Sequence, residues 1–208
     1  LLQILALARH FVAGVAATRA GEWRRVAGME LRDKTLAVIG TGRVGRETAA
    51  RARAFGMRVV ASDVIEDVVW AAGAGVTYRP LAAALAEADV ISLHVPLLPE
   101  THHLLNAATL ATCKPGVLIV NTARGPLIDE AALAAALDAD RVGGAALDVF
   151  DQEPPLDRRI VDHPKVLPTA HSAGGTAEAS RRAAIMALDE VLRVARGERP
   201  RFPVNRVD

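Results

Sequence analysis

Three side chains with complementary chemistry stand on three separate loops: Arg124 in NTARGPLID, Glu153 in DVFDQEPP and His171 in PTAHSAGGT. An imidazole titrates near neutral pH, so His171 can give or take a proton, and a carboxylate such as Glu153 beside it would favour its charged form and orient its ring. A planar guanidinium such as Arg124 grips a carboxylate through two parallel N–H bonds and polarises a neighbouring carbonyl. Singly, Arg124 could anchor a loop, Glu153 could be a loop acid before two prolines, and His171 an ordinary loop histidine. Each, however, follows a predicted strand, and open α/β sheets bind their ligands at the carboxyl ends of strands.

A second cluster lies upstream. GTGRVG at residues 40–45 follows the apolar run 35–39 and opens a helical stretch, which is the strand-turn-helix setting of a dinucleotide fingerprint. In that setting Gly40 permits the tight turn, Gly42 lets the backbone approach a pyrophosphate, and Gly45 lets the helix pack against the strand. Arg43 and Val44 would lie beside the phosphates, at the positive end of the helix. Asp63 stands 18 residues after Gly45, at the end of the second predicted strand, close to the spacing of the acid that bonds the ribose hydroxyls. A carboxylate there repels a 2′-phosphate, so the expected cofactor is NAD rather than NADP.

These groups need a scaffold. From Thr35 onward, short runs rich in Val and Ile alternate with Ala- and Leu-rich stretches of helical period. The pattern predicts an α/β fold: a Rossmann-type, doubly wound parallel sheet with helices on both faces, in three α/β/α layers. Strands are predicted over 35–39, 58–61, 76–78, 90–94, 117–121, 142–146 and 165–167. Helices are predicted over 44–55, 64–72, 81–87, 130–138 and 177–196, the last with Thr176 as its N-cap. Pro96, Pro99, Pro115, Pro154, Pro155 and Pro164 mark loops.

Composition bounds the function classes. With 51% hydrophobic and 24% charged residues in a chain of 208, a packed core is expected. The net charge of +1 provides no broad attraction to nucleic acid or anionic lipid, so neither is an expected partner. Cys113 is the single cysteine, read as a buried apolar residue in a reducing compartment. Residues 1–20 are too often interrupted by Gln3, Arg9, His10 and Arg19 to span a membrane and are read as one amphipathic helix. The opening inside a helical pattern, without an initiator Met, suggests a fragment.

The ordered segments GTGRVG (40–45), HVPLLPETHHLLN (94–106), NTARGPLIDE (121–130), ALDVFDQEPP (146–155) and TAHSAGGTAEASRR (169–182) resemble the D-2-hydroxyacid dehydrogenase family. The resemblance runs from the first residue to about Arg196. It implies that the catalytic Arg, Glu and His are Arg124, Glu153 and His171, and that Asp63 is the ribose acid. It also implies a nicotinamide contact at Asp148 and a cofactor site completed by His94, Val95, Pro96, Thr101, Thr122, Ala123, Ala173 and Gly174, with Arg124 and His171 touching the cofactor as well. The implied reaction passes a hydride between the nicotinamide and the carbonyl carbon of a 2-oxo acid. His171 would protonate the developing alkoxide while Arg124 holds the substrate carboxylate.

The resemblance further implies an NAD-binding domain over 1–196, including an interdomain helix 1–20. A segment over 197–208 would return to a substrate domain whose N-terminal part is missing. A cytoplasmic homodimer acting on a small 2-hydroxy or 2-oxo acid is the expectation that follows. The alternative is an NAD(H)-sensing, corepressor-like interaction module of the same fold. A short-chain dehydrogenase is excluded, because Tyr78 is followed four residues later by Ala82 rather than Lys. His102 and His103 are expected to point apart on a helix, so no metal site is expected, and His10 and His163 are read as structural.

Overall fold

The strand β1 (Thr35–Ile39) is apolar after its first residue, Thr35, and each of its residues is buried. A strand with no wet face belongs at the centre of a sheet covered on both sides. The computed structural model, which describes residues 1–156 and 158–203, places it there. Around it run β2 (Arg58–Ser62), β3 (Val76–Tyr78), β4 (Val90–Leu93), β5 (Val117–Asn121), β6 (Val142–Leu147) and β7 (Val166–Pro168). All pairings are parallel, in the order β3-β2-β1-β4-β5-β6-β7. The winding reverses between β1 and β4, so the crevice beyond their carboxyl ends is where such a sheet takes its ligand.

Period-two alternation in β1 separates two cores. Ala37 and Ile39 pack with Leu85, Leu110, Leu133 and Leu137, which belong to α5 (Leu81–Glu87), α6 (Ala107–Thr112) and α7 (Glu130–Asp138). Leu36 and Val38 pack on the other side with Ile4, Ala8, Ala49, Ala52 and Ala71. Those residues come from α1 (Leu2–Ala8), α3 (Arg43–Ala54) and α4 (Val68–Ala74). Each fully buried Leu or Ile contributes about 2 kcal/mol. The helix α1 lies against β5 and β6 as well as against α2: Ile4 and Ala8 share a cluster with Leu118 and Ala146. Gln3 Nε2 also donates to Thr169 Oγ1 at 3.2 Å.

The structure departs from expectation in several places. The run 1–20 is two helices, α1 and α2 (Phe11–Arg19), because His10 takes a left-handed conformation (φ 48°) that a continuing helix cannot hold. The helix expected from residue 64 starts at Val68, since Ile65 N–H bonds back to Asp63 and Asp67 caps the helix by accepting from Trp70 N–H. The strand ending at 94 stops at Leu93. Two short helices were not anticipated, α6 and α8 (Arg158–Val161), although Asn106 and Thr109 form a reciprocal capping box at the start of α6. His102 and His103 lie in a turn with their rings stacked, centroids 3.9 Å apart, rather than pointing apart on a helix.

Two compact units are distinguished, Leu1–Ala170 and His171–Asp208. The second is built on α9 (Ala177–Ala195), capped by the Thr176 hydroxyl and steadied where Glu190 accepts from the Arg201 backbone and guanidinium. Of the expected segment 197–208, residues 204–208 lie outside the described residues. Among the described residues no helix is long and apolar enough to cross a membrane.

Candidate functional site

GTGRVG leaves β1 and enters α3 as the spacing predicts. Gly40 takes φ +97°, and a Cβ there would sit 2.8 Å from the His94 carbonyl carbon and the Val95 nitrogen. Only glycine fits that turn. A Cβ on Gly45 would come 2.0 Å from the Gly40 carbonyl oxygen, so its absence is what lets α3 approach the strand. A Cβ on Gly42, by contrast, meets nothing within 4 Å. That residue is the exposed N-cap of α3, whose first helical bond runs from Arg46 N–H to Gly42 O. The N–H groups of Arg43, Val44 and Gly45 therefore lack intrahelical partners and border the open space over Gly42. Such a corner accepts an anion, and the residues fit the pyrophosphate of a dinucleotide.

Asp63 stands just beyond β2, part-buried and already hydrogen-bonded. Its Oδ2 accepts from the Thr41 backbone N–H at 2.6 Å and the Thr41 hydroxyl at 2.9 Å, and its Oδ1 accepts from Ile65 N–H at 3.2 Å. Partial desolvation pushes this carboxyl up, but the bonds from Thr41 and Ile65 outweigh it and hold the group below the usual carboxylate range. It is a fixed negative charge at neutral pH.

At the far side of the switch point, His94 follows β4, with its N–H donating to Ile39 O and its Nε2 2.9 Å from the buried Ser92 hydroxyl. Burial pushes its imidazole down to about 4. Unfolding returns the ring to about 6.5, so below that pH the unfolded chain takes up a proton that folded His94 refuses until about pH 4. Stability therefore falls as pH drops through that window and levels off beneath it, by about 3 kcal/mol in all. Urea unfolding between pH 7 and 4.5 is expected to report this loss, and His94→Gln to flatten the slope. An unaltered slope in the variant would assign the effect to another group.

The loops after β5 and β6 meet through Gly125. A Cβ on it would lie 1.9 Å from the Phe150 carbonyl carbon and 2.4 Å from Asp151 N, so the backbone of the Arg124 loop rests directly on the loop that carries Glu153. Asn121, fully buried at the end of β5, folds the first loop by accepting from Ala123 N–H and donating to Arg124 O. Arg124 itself is exposed, and so is Glu153, whose Oε1 accepts from Phe150 N–H at 3.1 Å. Part-buried Thr122 and Ala123 line the same strand end. Asp148 is buried one residue past β6, where its carboxylate accepts from Thr169 Oγ1 at 2.5 Å. Val95 and exposed Pro96 follow His94, and the Thr101 hydroxyl donates to Pro96 O at 2.7 Å. His171, Ala173 and Gly174 open the second unit as exposed residues, His171 with φ 48°.

Residues 1–173 match the family model described as D-isomer specific 2-hydroxyacid dehydrogenase, NAD binding domain. The chain belongs to that family. Its part in the D-isomer specific 2-hydroxyacid dehydrogenases is the NAD-binding domain, and the residues around Gly42 and Asp63 suit that cofactor. The D-3-phosphoglycerate dehydrogenase of Bacillus subtilis is 46% identical over 196 residues, which cover 93% of this chain and 37% of that protein. Among solved structures, the D-lactate dehydrogenase of Aquifex aeolicus complexed with NAD and lactic acid is 31% identical with TM-score 0.89, covering 95% of this chain and 65% of that one. A glyoxylate reductase from Paecilomyes thermophila is 34% identical with TM-score 0.87, covering 93% and 59%. The chain thus spans somewhat over a third of the length of the curated relative.

Four residues around the family's site were missed by sequence reasoning: Thr41, Tyr78, Asn121 and Gly125. Thr41 occupies the variable position of the G-x-G turn and carried no signal of its own. Gly125 had one, a glycine wedged between a candidate catalytic Arg and a Pro, since such a position often marks close backbone approach.

Proposed function

We propose that the whole protein is an NAD-dependent oxidoreductase that interconverts a D-2-hydroxy acid and its 2-oxo acid. The observation that carries this reading is the contact at Gly125, which sets the Arg124 loop on the Glu153 loop at the same sheet edge as the phosphate turn. When bound, the cofactor supplies or accepts the hydride at the substrate's carbinol carbon. Arg124 holds the substrate carboxylate and polarises the adjacent carbonyl. His171 gives its proton to the carbonyl oxygen as the alkoxide develops, or takes the hydroxyl proton in the reverse direction. Glu153 is the carboxylate that tunes this acid–base group. Gly40, Gly42, Arg43, Val44 and Gly45 receive the pyrophosphate and Asp63 the ribose. His94, Val95, Pro96, Thr101, Thr122, Ala123, Asp148, Ala173 and Gly174 line the rest of the dinucleotide site.

D-3-phosphoglycerate is the first substrate to test, because the curated relative named above carries that enzyme's name. The full-length protein is expected to reduce NAD⁺ with D-3-phosphoglycerate at a kcat/KM at least ~10-fold above that with D-lactate or glycolate, a margin of about 1.4 kcal/mol. Absence of turnover with any member of a broad 2-hydroxy and 2-oxo acid panel would remove the enzyme reading. We further infer a domain over 1–196 with 197–208 leading toward a substrate domain, and a cytoplasmic homodimer. Support for the last two comes from Cys113, a free buried thiol, and from α2, which buries none of its residues and leaves Phe11 and Val12 exposed. The corepressor-like alternative draws no support from the relatives above, which are named as dehydrogenases and a reductase.

A further inference from the structure

Asp63 is the last member of a hydrogen-bond chain. Tyr78, the final residue of β3, has its hydroxyl 2.9 Å from Thr41 Oγ1, and the Asp67 backbone N–H donates to that same Tyr78 oxygen at 3.2 Å. An ionised carboxylate can only accept, so the hydrogen of the Thr41 hydroxyl is committed to Asp63 Oδ2. The Thr41 oxygen must then accept from Tyr78. The polarity of every link follows: Asp67 N–H to Tyr78, Tyr78 to Thr41, Thr41 to Asp63. Thr41 is 4% exposed, so water competes little for its hydroxyl. The chain joins three pieces of backbone distant in sequence, namely the phosphate turn, β3 and the turn before α4.

The nearest cation in this network is engaged as well. Arg46 Nε donates to Thr41 O at 2.8 Å, its Nη2 pairs with Asp67 Oδ2 at 2.9 Å, and its guanidinium carbon lies 4.7 Å from the centre of the Trp70 ring. A guanidinium occupied by a carbonyl, a carboxylate and an indole is poorly placed to neutralise an added phosphate.

We propose that Tyr78 and Thr41 are positioning residues that set dinucleotide specificity, by holding the Asp63 carboxylate in one orientation so that it cannot turn aside for a 2′-phosphate. A carboxylate at an unsupported strand end rotates and admits an anion, whereas this one is held through both oxygens. Its Oδ1, which accepts from Ile65 N–H, keeps acceptor capacity for a ribose hydroxyl. The inference rests on reading residues 40–63 as the NAD site.

The test is equilibrium binding of NADH and NADPH to the full-length protein, followed by nicotinamide fluorescence, for wild type, Tyr78→Phe, Thr41→Val and Thr41→Ser. The ratio of the NADPH Kd to the NADH Kd is expected to fall about 5-fold in Tyr78→Phe and more than ~10-fold in Thr41→Val. Thr41→Ser, which keeps the hydroxyl, is expected to stay within about 2-fold of wild type. If Tyr78→Phe weakens both dinucleotides equally, or changes neither, the residues act only on the fold and the proposal is overturned. Should Thr41→Val fail to fold, Tyr78→Phe alone decides, since it removes one oxygen from a part-buried ring. Wild-type protein that binds neither dinucleotide would instead overturn the underlying site, and the proposal with it.

Discussion

In the full-length protein, His171→Ala is expected to cut kcat by a factor on the order of 10²–10⁴ while leaving the NADH Kd within about 2-fold of wild type. The split follows from the placement of the groups. The proposed pyrophosphate corner and ribose acid lie within residues 40–63, and Asp63 is fixed by Thr41 and Ile65 rather than by His171. On the proposed reading the alanine removes the proton donor, and the alkoxide formed by hydride addition would have to draw its proton from water. Glu153→Gln serves as the companion. It should lower kcat by a smaller factor than His171→Ala, because on the proposed reading the amide replaces the carboxylate that tunes the acid–base group while leaving that group in place. Steady-state kinetics from pH 5 to 9 with a 2-oxo acid check both; His171→Ala with wild-type turnover would strip His171 of its role.

Gly125→Ala is expected to be the most damaging single methyl group in the first unit, with a loss of about 3 kcal/mol and a fall in Tm of roughly 6–12 °C. The added carbon would stand 1.9 Å from the Phe150 carbonyl carbon and 2.0 Å from its oxygen. Both are backbone atoms, so no side-chain rotation relieves the overlap, and the two loops have to part. Parting them moves Arg124 away from the loop of Glu153, so kcat/KM should fall beyond what the stability loss explains. Calorimetry of the purified variant, with NADH binding to verify that the phosphate corner survives, separates the two effects. A wild-type melting curve would mean that the loops do not depend on that contact.

The fold was legible where periodicity carried the information. Short aliphatic runs at 35–39 and 117–121, each adjoining a glycine, specified strands whose ends the structure reproduces to the residue. Periodicity failed where local hydrogen bonding took over. Asp63 captures Ile65 N–H and delays α4 to Val68, and the Asn106 capping box starts a helix too short to show a period. Within the candidate site, Asp63, Arg124, Glu153 and His171 could be picked out because their side-chain types suggest chemistry. Tyr78, Asn121 and Gly125 could not, since what they do depends on which loops the sheet order brings together. Tyr78 reaches Thr41 across 37 positions because β3 and β1 both flank β2.

The seat of α1 on β5 and β6 bears on how the chain is made. Ile4, Ala8 and Gln3 find their partners in residues more than a hundred positions later, at Leu118, Ala146 and Thr169. On the ribosome the first helix therefore emerges with its apolar side uncovered, and at ordinary elongation rates stays so for on the order of 10 s. Over that interval the strands around β1 can already pair with one another, while β5 and β6, on which α1 seats, are still to be made. The nascent first helix accordingly waits with apolar surface uncovered, and the half of the sheet that ends at Asp63 can be assembled before the half that carries Arg124 and Glu153 exists.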